Sequence, residues 1–183
     1  MTTIEQQLQS IGLELLGTCT GLSRYTPGWR HGTALLEDLA PHEMDALGAL
    51  MPKVRAQPGQ VLIHEGDVGD WMLLLLDGMV DITKKSGSGG TSRLAVIKQG
   101  ATVGEMSMFD AAPRNASCLA IDIVEAGVLT RSNIAQLIEQ HPAVGAKLLV
   151  KLTQILAQRL RNTSHQLAKS MQNARGCDAD VPP

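Results

Sequence analysis

Residues 58–100 read PGQVLIHEGDVGDWMLLLLDGMVDITKKSGSGGTSRLAVIKQG. Four runs of strand length, VLIH, WMLLLL, MVDITKK and RLAVIKQ, alternate with the turn signals EGD, DG, SGSGG and G. Apolar runs this short, broken this often by glycine, argue for strands rather than helices. The Asp77-Gly78 pair between two such runs predicts a hairpin. Residues 86–92, SGSGGTS, predict a flexible surface loop. Two more strand-like runs, NASCLAID and IVEAGVLT, fill residues 115–130. Seven or eight short strands in roughly 80 residues predict an all-β sandwich or barrel.

Outward from this block the texture becomes helical on both sides. Residues 2–16 carry Ile4, Leu8, Ile11 and Leu15 at helical spacing, and Thr2 with Glu5 could form a capping box. Residues 17–33, rich in Gly, Thr, Ser and Pro, read as a linker. Residues 34–51 are helical again, with Pro41 suited to a first turn. After residue 131, SNIAQLIEQ predicts a short helix that ends near His141-Pro142. A long helix then runs from about 142 to 171. Leu149, Leu152, Leu156, Leu160, Leu167 and Met171 form a narrow stripe on it, like a coiled-coil seam, and Thr163 fills the gap. The tail from Arg175 to Pro183 reads as disordered. The chain therefore divides into an N-terminal helix and linker (1–33), a folded domain with its long helix (34–172) and a tail (173–183).

Composition removes several classes of function. Among 183 residues the aromatics are one Phe, one Tyr and two Trp, too few for a base-stacking platform. The net charge of −2 gives no general attraction to nucleic acid or to a membrane surface. Cys19, Cys118 and Cys177 are odd in number and lack a CxxC spacing, which argues against a zinc site or a disulfide framework. His31, His42, His64, His141 and His165 show no HExxH spacing, so no metal ligand is assigned. No GxSxG is present, and Ser86–Gly90 lacks the Lys-Ser/Thr of a P-loop. These readings point away from an enzyme, and no catalytic residue or cofactor is expected. The first residues lack a basic region and no apolar run approaches a membrane span, so the expected location is cytoplasmic, without a membrane partner.

The chemistry lies in residues 104–117, GEMSMFDAAPRNAS. Glu105 and Arg114 stand nine residues apart around a short helical turn. A cyclic phosphate needs a fixed cation and backbone N–H donors, and arginine presents a planar fork that matches phosphate oxygens. A nearby carboxylate can accept from a ribose hydroxyl. This segment resembles the phosphate-binding cassette of cyclic nucleotide-binding domains, whose pattern is G-E-[aliphatic]-x-[aliphatic]…P-R-x-A-[S/T]. Gly104, Glu105, Met106, Met108, Pro113, Arg114, Ala116 and Ser117 fit it, and Pro58-Gly59, Glu65-Gly66-Asp67 and Asp77-Gly78 stand where the family places its turns. The resemblance covers roughly residues 35–172. It implies a mainly β fold with flanking helices: a jelly-roll-like β-barrel with N-terminal helices and a long C-terminal dimerisation helix. It implies that Arg114, from a solvent-facing pocket, binds the cyclic phosphate, and that Glu105 binds the ribose 2′-hydroxyl. Gly104, Met106, Ser107, Asn115 and Ala116 are then expected against the ligand.

Gln158–Ser164, QRLRNTS, resembles the long-helix segment of the bacterial cAMP receptor protein (catabolite activator) family. That resemblance implies that Thr163 and Ser164 meet the adenine, the serine coming from a partner subunit. A hydroxyl at Thr163, buried in the apolar stripe, would need such a partner. Only about a dozen residues follow residue 171, so no recognition helix fits and direct DNA binding is not expected. The resulting expectation is a stand-alone sensor, most simply of cAMP, that forms a homodimer through the long helix and signals to a protein effector. The alternatives are a dimerisation or targeting module with a degenerate pocket, or a sensor of cGMP or cyclic di-GMP. No RxxxR motif is present to clamp the guanines of the last.

Overall fold

The computed structural model describes residues 3–29, 34–87 and 89–177. Eight strands fall in the block expected to be β: β2 (Pro52–Ala56), β3 (Val61–Ile63), β4 (Trp71–Asp77), β5 (Met79–Lys85), β6 (Thr91–Lys98), β7 (Thr102–Val103), β8 (Ser117–Ala120) and β9 (Val124–Thr130). A ninth, β1 (Glu14–Thr18), precedes them. They form two antiparallel sheets, ordered β1-β2-β9-β4-β7 and β3-β8-β5-β6. Among the described residues no strand pairing joins the two sheets, so the expected jelly-roll-like fold is built as an open sandwich and not as a closed barrel.

The run WMLLLL shows how the layers form. Side chains alternate along a strand. Trp71, Leu73 and Leu75 of β4 face the opposing sheet, where Leu62, Val80 and Cys118 join them and the neighbouring Val103 and Val128 of their own sheet in one apolar group. Met72, Leu74 and Leu76 face the other way, against the helices. Those helices are α2 (Pro41–Ala49), α4 (Arg131–Gln140) and α5 (Pro142–Cys177), and Leu47, Leu137, Leu148 and Leu152 are among the residues they bury there. β4 is thus apolar on both faces because both faces are covered.

Several local expectations are corrected. Asp77-Gly78 is not a hairpin: β4 pairs with β7 and β9, and β5 with β6 and β8, so the corner carries the chain from one sheet to the other. Gly78 has φ +85°, and a Cβ there would meet the Ile123 carbonyl at 2.4 Å. The Asp122 carboxylate holds the corner by accepting from the Met79 N–H at 2.7 Å. Of the loop expected at 86–92, residues 91 and 92 belong to β6, and Ser86 N–H donates to Gly90 O at 2.7 Å where the chain leaves β5 and enters β6. The first helix, α1 (Ile4–Ser10), is capped by Thr3 and Gln6, one residue beyond the predicted pair; Thr2 lies outside the described residues. The helical spacing does not continue, because Gly12 is left-handed and residues 14–18 pair with β2. The expected linker buries Cys19, Leu22 and Trp29 in the helix-side core, and the Trp29 indole donates to Leu76 O at 3.0 Å. Pro41 does stand at the first turn of α2. At the other end α5 continues to Cys177, so only residues 178–183 of the expected tail lie outside the description.

α5 is also not one continuous seam. Leu148 and Leu152 are buried against the chain's own core, while Leu160, Leu167 and Met171 are 58–69% exposed. Lys147 binds Glu43 of α2 at 2.8 Å, and Lys151 lies 3.1 and 2.9 Å from Glu37 and Asp38. Pairs this near the surface fix orientation more than they stabilise. Among the described residues no helix is long and apolar enough to cross a membrane.

Candidate functional site

β7 ends beside β4, and Gly104 then turns the chain into a short helix, α3 (Glu105–Asp110). Gly104 has φ +86°, and a Cβ would lie 2.8 Å from Arg114 Nη1 and 3.1 Å from Ile63 Cδ1. Both conformation and space therefore demand glycine. α3 stops at Ala111, the one non-glycine residue with positive φ among the described residues. Arg131, at the start of α4, donates to Met108 O from Nε at 3.0 Å and Nη2 at 2.6 Å. That cation sits on the carbonyl end of α3, where it satisfies an acceptor that the helix leaves open.

The chain then returns along the loop before β4. Arg114 N–H donates to Asp67 O at 2.7 Å, and Gly66 N–H donates to Arg114 O at 2.8 Å. These bonds carry the Arg114 side chain inward. It is 4% exposed, not solvent-facing as expected. Nη1 donates to Gly104 O and Nη2 to Trp71 O, both at 2.7 Å. The guanidinium lies over the Trp71 ring, 4.5 Å from its centroid, a cation–π contact in a dry setting. Among the described residues no carboxylate forms an ion pair with it. Burial pulls the guanidinium below its ordinary pKa, and Asp70, Glu105 and Asp67 oppose that through longer-range fields. The arginine remains charged nonetheless. Its surroundings are therefore a buried positive site that carbonyl dipoles, an aromatic face and distant carboxylates compensate only in part.

Glu105 is its negative counterpart, fully buried at 0% exposure. Oε1 accepts from Arg159 Nη1 of α5, and Oε2 has no hydrogen-bond partner among the described residues. Arg159 Nη2 donates to Thr102 O at 2.6 Å. The long helix is thereby tied to the first residue of α3, within the cassette, and to β7. Cys118 of β8 contributes a neutral wall, its thiol pushed up to about 12 by burial.

Of the residues expected at the site, Gly104, Glu105 and Arg114 converge in the buried cluster, and Ser107 is buried on α3. Met106 is half-exposed on the outer side of α3, and Ala116 is half-buried. Asn115 is exposed, its side chain and carbonyl held by Lys84. Thr163 and Ser164 do not reach the cluster. They are exposed, one turn beyond Arg159, where α5 has left the sandwich; the buried hydroxyl expected at Thr163 is not observed within the single chain. Sequence reading missed Arg159, Trp71 and Gly69. Arg159 had a signal: it stands in the quoted long-helix segment, four residues after Ile155, which packs on the helix-side core. Gly69 had none, because its role is spatial: a Cβ there would lie 2.6 Å from Arg114 Nη2.

Two open grooves, of about 480 and 360 Å³, flank Arg159 and share Ala34 and Ile155. A smaller cavity of about 140 Å³ lies behind Arg114, between His64, Asp67 and Trp71 on one side and Gln7 and Ser10 of α1 on the other.

Comparisons with known proteins agree with this fold. Residues 53–141 match the family model described as the cyclic nucleotide-binding domain. A solved cyclic nucleotide-binding domain from Methylobacillus flagellatus superposes with a TM-score of 0.73 at 30% identity, covering 92% of each chain. The cyclic AMP receptor protein of Thermus thermophilus is 30% identical over 136 residues, 74% of this chain and 61% of that protein. The CRP-like cAMP-activated global transcriptional regulator of Mycobacterium tuberculosis is 28% identical over 134 residues, 73% of this chain and 58% of that protein. The match thus spans about three fifths of these curated relatives.

Proposed function

This chain belongs to the cyclic nucleotide-binding domain family, and we propose that it is a cAMP-responsive regulatory protein whose output is the position of α5. One observation carries the reading. Arg114 and Glu105 are both buried, carry opposite charges, and do not pair with each other. Burying a charge without full compensation is costly, and a fold that keeps two such groups side by side is prepared for a ligand that completes both. A nucleoside 3′,5′-cyclic phosphate has the matching pair: an anionic diester for the guanidinium and a 2′-hydroxyl donor for Glu105 Oε2.

The same contacts supply a mechanism. Glu105 holds Arg159, so a hydroxyl that enters the carboxylate's second acceptor position competes with Arg159 for the same negative charge. α5 is packed by Leu148 and Leu152, whereas Leu160, Leu167 and Met171 beyond Arg159 are largely exposed. A ligand that favours one placement of Arg159 shifts the exposed half of the helix, to the extent that it binds the two placements differently. Leu160, Leu167 and Met171 give that half an apolar stripe for a parallel homodimer, and its polar faces an approach for a protein effector. In a dimer, Thr163 and Ser164 would be near enough to the site mouth to meet the purine. The reading assigns the chain no catalysis and a cytoplasmic location.

Isothermal titration of the full chain with cAMP, cGMP and cyclic di-GMP tests it. The expected result is saturable binding of one cAMP per chain, at micromolar affinity or tighter, with cAMP preferred. No heat and no thermal shift with any of the three overturns the sensor reading and leaves a dimerisation module.

A further inference from the structure

β5 runs antiparallel to β8, with Val80 opposite Ala120 and Ile82 opposite Cys118. These four line the apolar space between the sheets. By the alternation of a strand, Lys84 is on the same inner face, at the end of the row. Its neighbour there is the cassette. Lys84 Nζ lies 2.6 Å from Asn115 Oδ1 and 3.0 Å from Asn115 O, and Asn115 directly follows Arg114. Lys84 forms no ion pair among the described residues. An ammonium has three N–H donors, and these contacts use two. An apolar row that ends in a cation against the cassette turn is not explained by packing.

We propose that Lys84 is the second cation of the site. The inference rests on the cyclic-nucleotide reading of the cluster and names how the phosphate is held. A cyclic diester shares one negative charge between two exocyclic oxygens. Arg114 reaches the phosphate from the buried side, fixed by Trp71 and Gly104. Lys84 reaches it from the rim, swinging from the Asn115 oxygens on a flexible four-carbon stem. The buried fork sets orientation, and the rim ammonium adds attraction that salt can screen.

Titration of the full chain with cAMP, at low and high salt, tests the assignment with three variants. Lys84→Arg keeps the charge, Lys84→Gln keeps a donor for Asn115 without the charge, and Lys84→Met keeps only the stem. A charge-assisted hydrogen bond predicts that Lys84→Gln and Lys84→Met bind about tenfold more weakly, and Lys84→Arg within about threefold of the unaltered chain. The deficit shrinks at high salt. Ligand-free melting temperatures stay together, because the side chain is only half-buried. Unaltered affinity in Lys84→Gln overturns the proposal, and if Lys84→Met alone is weak, the lysine is a clamp on Asn115. Absence of cAMP binding by the unaltered chain overturns the pocket reading, and Lys84 with it.

Discussion

Glu105→Gln offers the sharpest test of the cluster. The carboxylate is fully buried, Oε1 is committed to Arg159, and Oε2 is the open acceptor. The cost of drying that oxygen is already borne by the fold, so a ribose hydroxyl gains a hydrogen bond to a charged group with little further desolvation. Such a bond is worth about 1.5–3 kcal/mol, or roughly ten- to a hundredfold in Kd. In the variant Arg159 still requires an acceptor, so the amide oxygen stays with it and the amide nitrogen takes the place of Oε2. The hydroxyl then meets a neutral donor. The assay is titration of both chains with cAMP and 2′-deoxy-cAMP. The unaltered chain prefers cAMP by ten- to a hundredfold, and Glu105→Gln narrows the gap to about threefold. The fold survives, because a neutral isostere replaces a buried charge whose partner is itself partly exposed. Equal affinity of the unaltered chain for the two ligands, or an undiminished gap in the variant, refutes the assignment of Glu105 to the ribose.

Gly69→Ala probes Arg114 without touching it. The backbone admits alanine, but its Cβ would stand 2.6 Å from Nη2 and displace the guanidinium from Trp71 O. cAMP affinity falls about tenfold, whereas Gly87→Ala, with nothing within 4 Å, binds normally; equal affinities would show that the placement of the fork is immaterial. Lys53 and Arg55 hold the Glu125 carboxyl below its ordinary 4.5, and Lys147 and the Ala40 N–H do the same for Glu43. A depressed carboxylate stabilises above its unfolded pKa and loses that contribution as pH falls through the folded one. The melting temperature therefore drops as pH falls below about 4.5, and less steeply in Glu125→Gln; parallel pH profiles would contradict this. On α5, Leu152→Ala costs about 2–5 kcal/mol in denaturant titration, while Leu160→Ala costs under about 0.5 and weakens the proposed dimer in sedimentation. A Leu160→Ala chain that assembles like the unaltered one would remove the helix stripe from the interface.

The sequence by itself determined six of the strands between residues 61 and 130, because each is a short run closed by glycine or a polar turn; β2, with the sequence PKVRA, and the two-residue β7 carry no such local signal. It also determined the break at His141-Pro142, where α4 ends and α5 begins, and the cassette with Glu105 and Arg114. All of these are written in neighbouring residues. What only the tertiary structure decided involves partners far apart in the chain. Residues 14–18 carry a helical spacing, yet they become β1 because the edge of β2 offers open hydrogen-bonding groups and Gly12 releases the helix. Asp77-Gly78 has hairpin chemistry, yet it crosses between sheets because β4 pairs with β7 and β9 while β5 pairs with β6 and β8. Arg114 became a buried cation only when Trp71, 43 residues away, supplied a carbonyl and a ring face. Arg159 entered the site only when α5 packed 54 residues from Glu105. Local patterns report what a segment can form. Which surface it buries, and which charge it meets there, depends on the closure of the whole chain, and the ligand site is assembled from such closures.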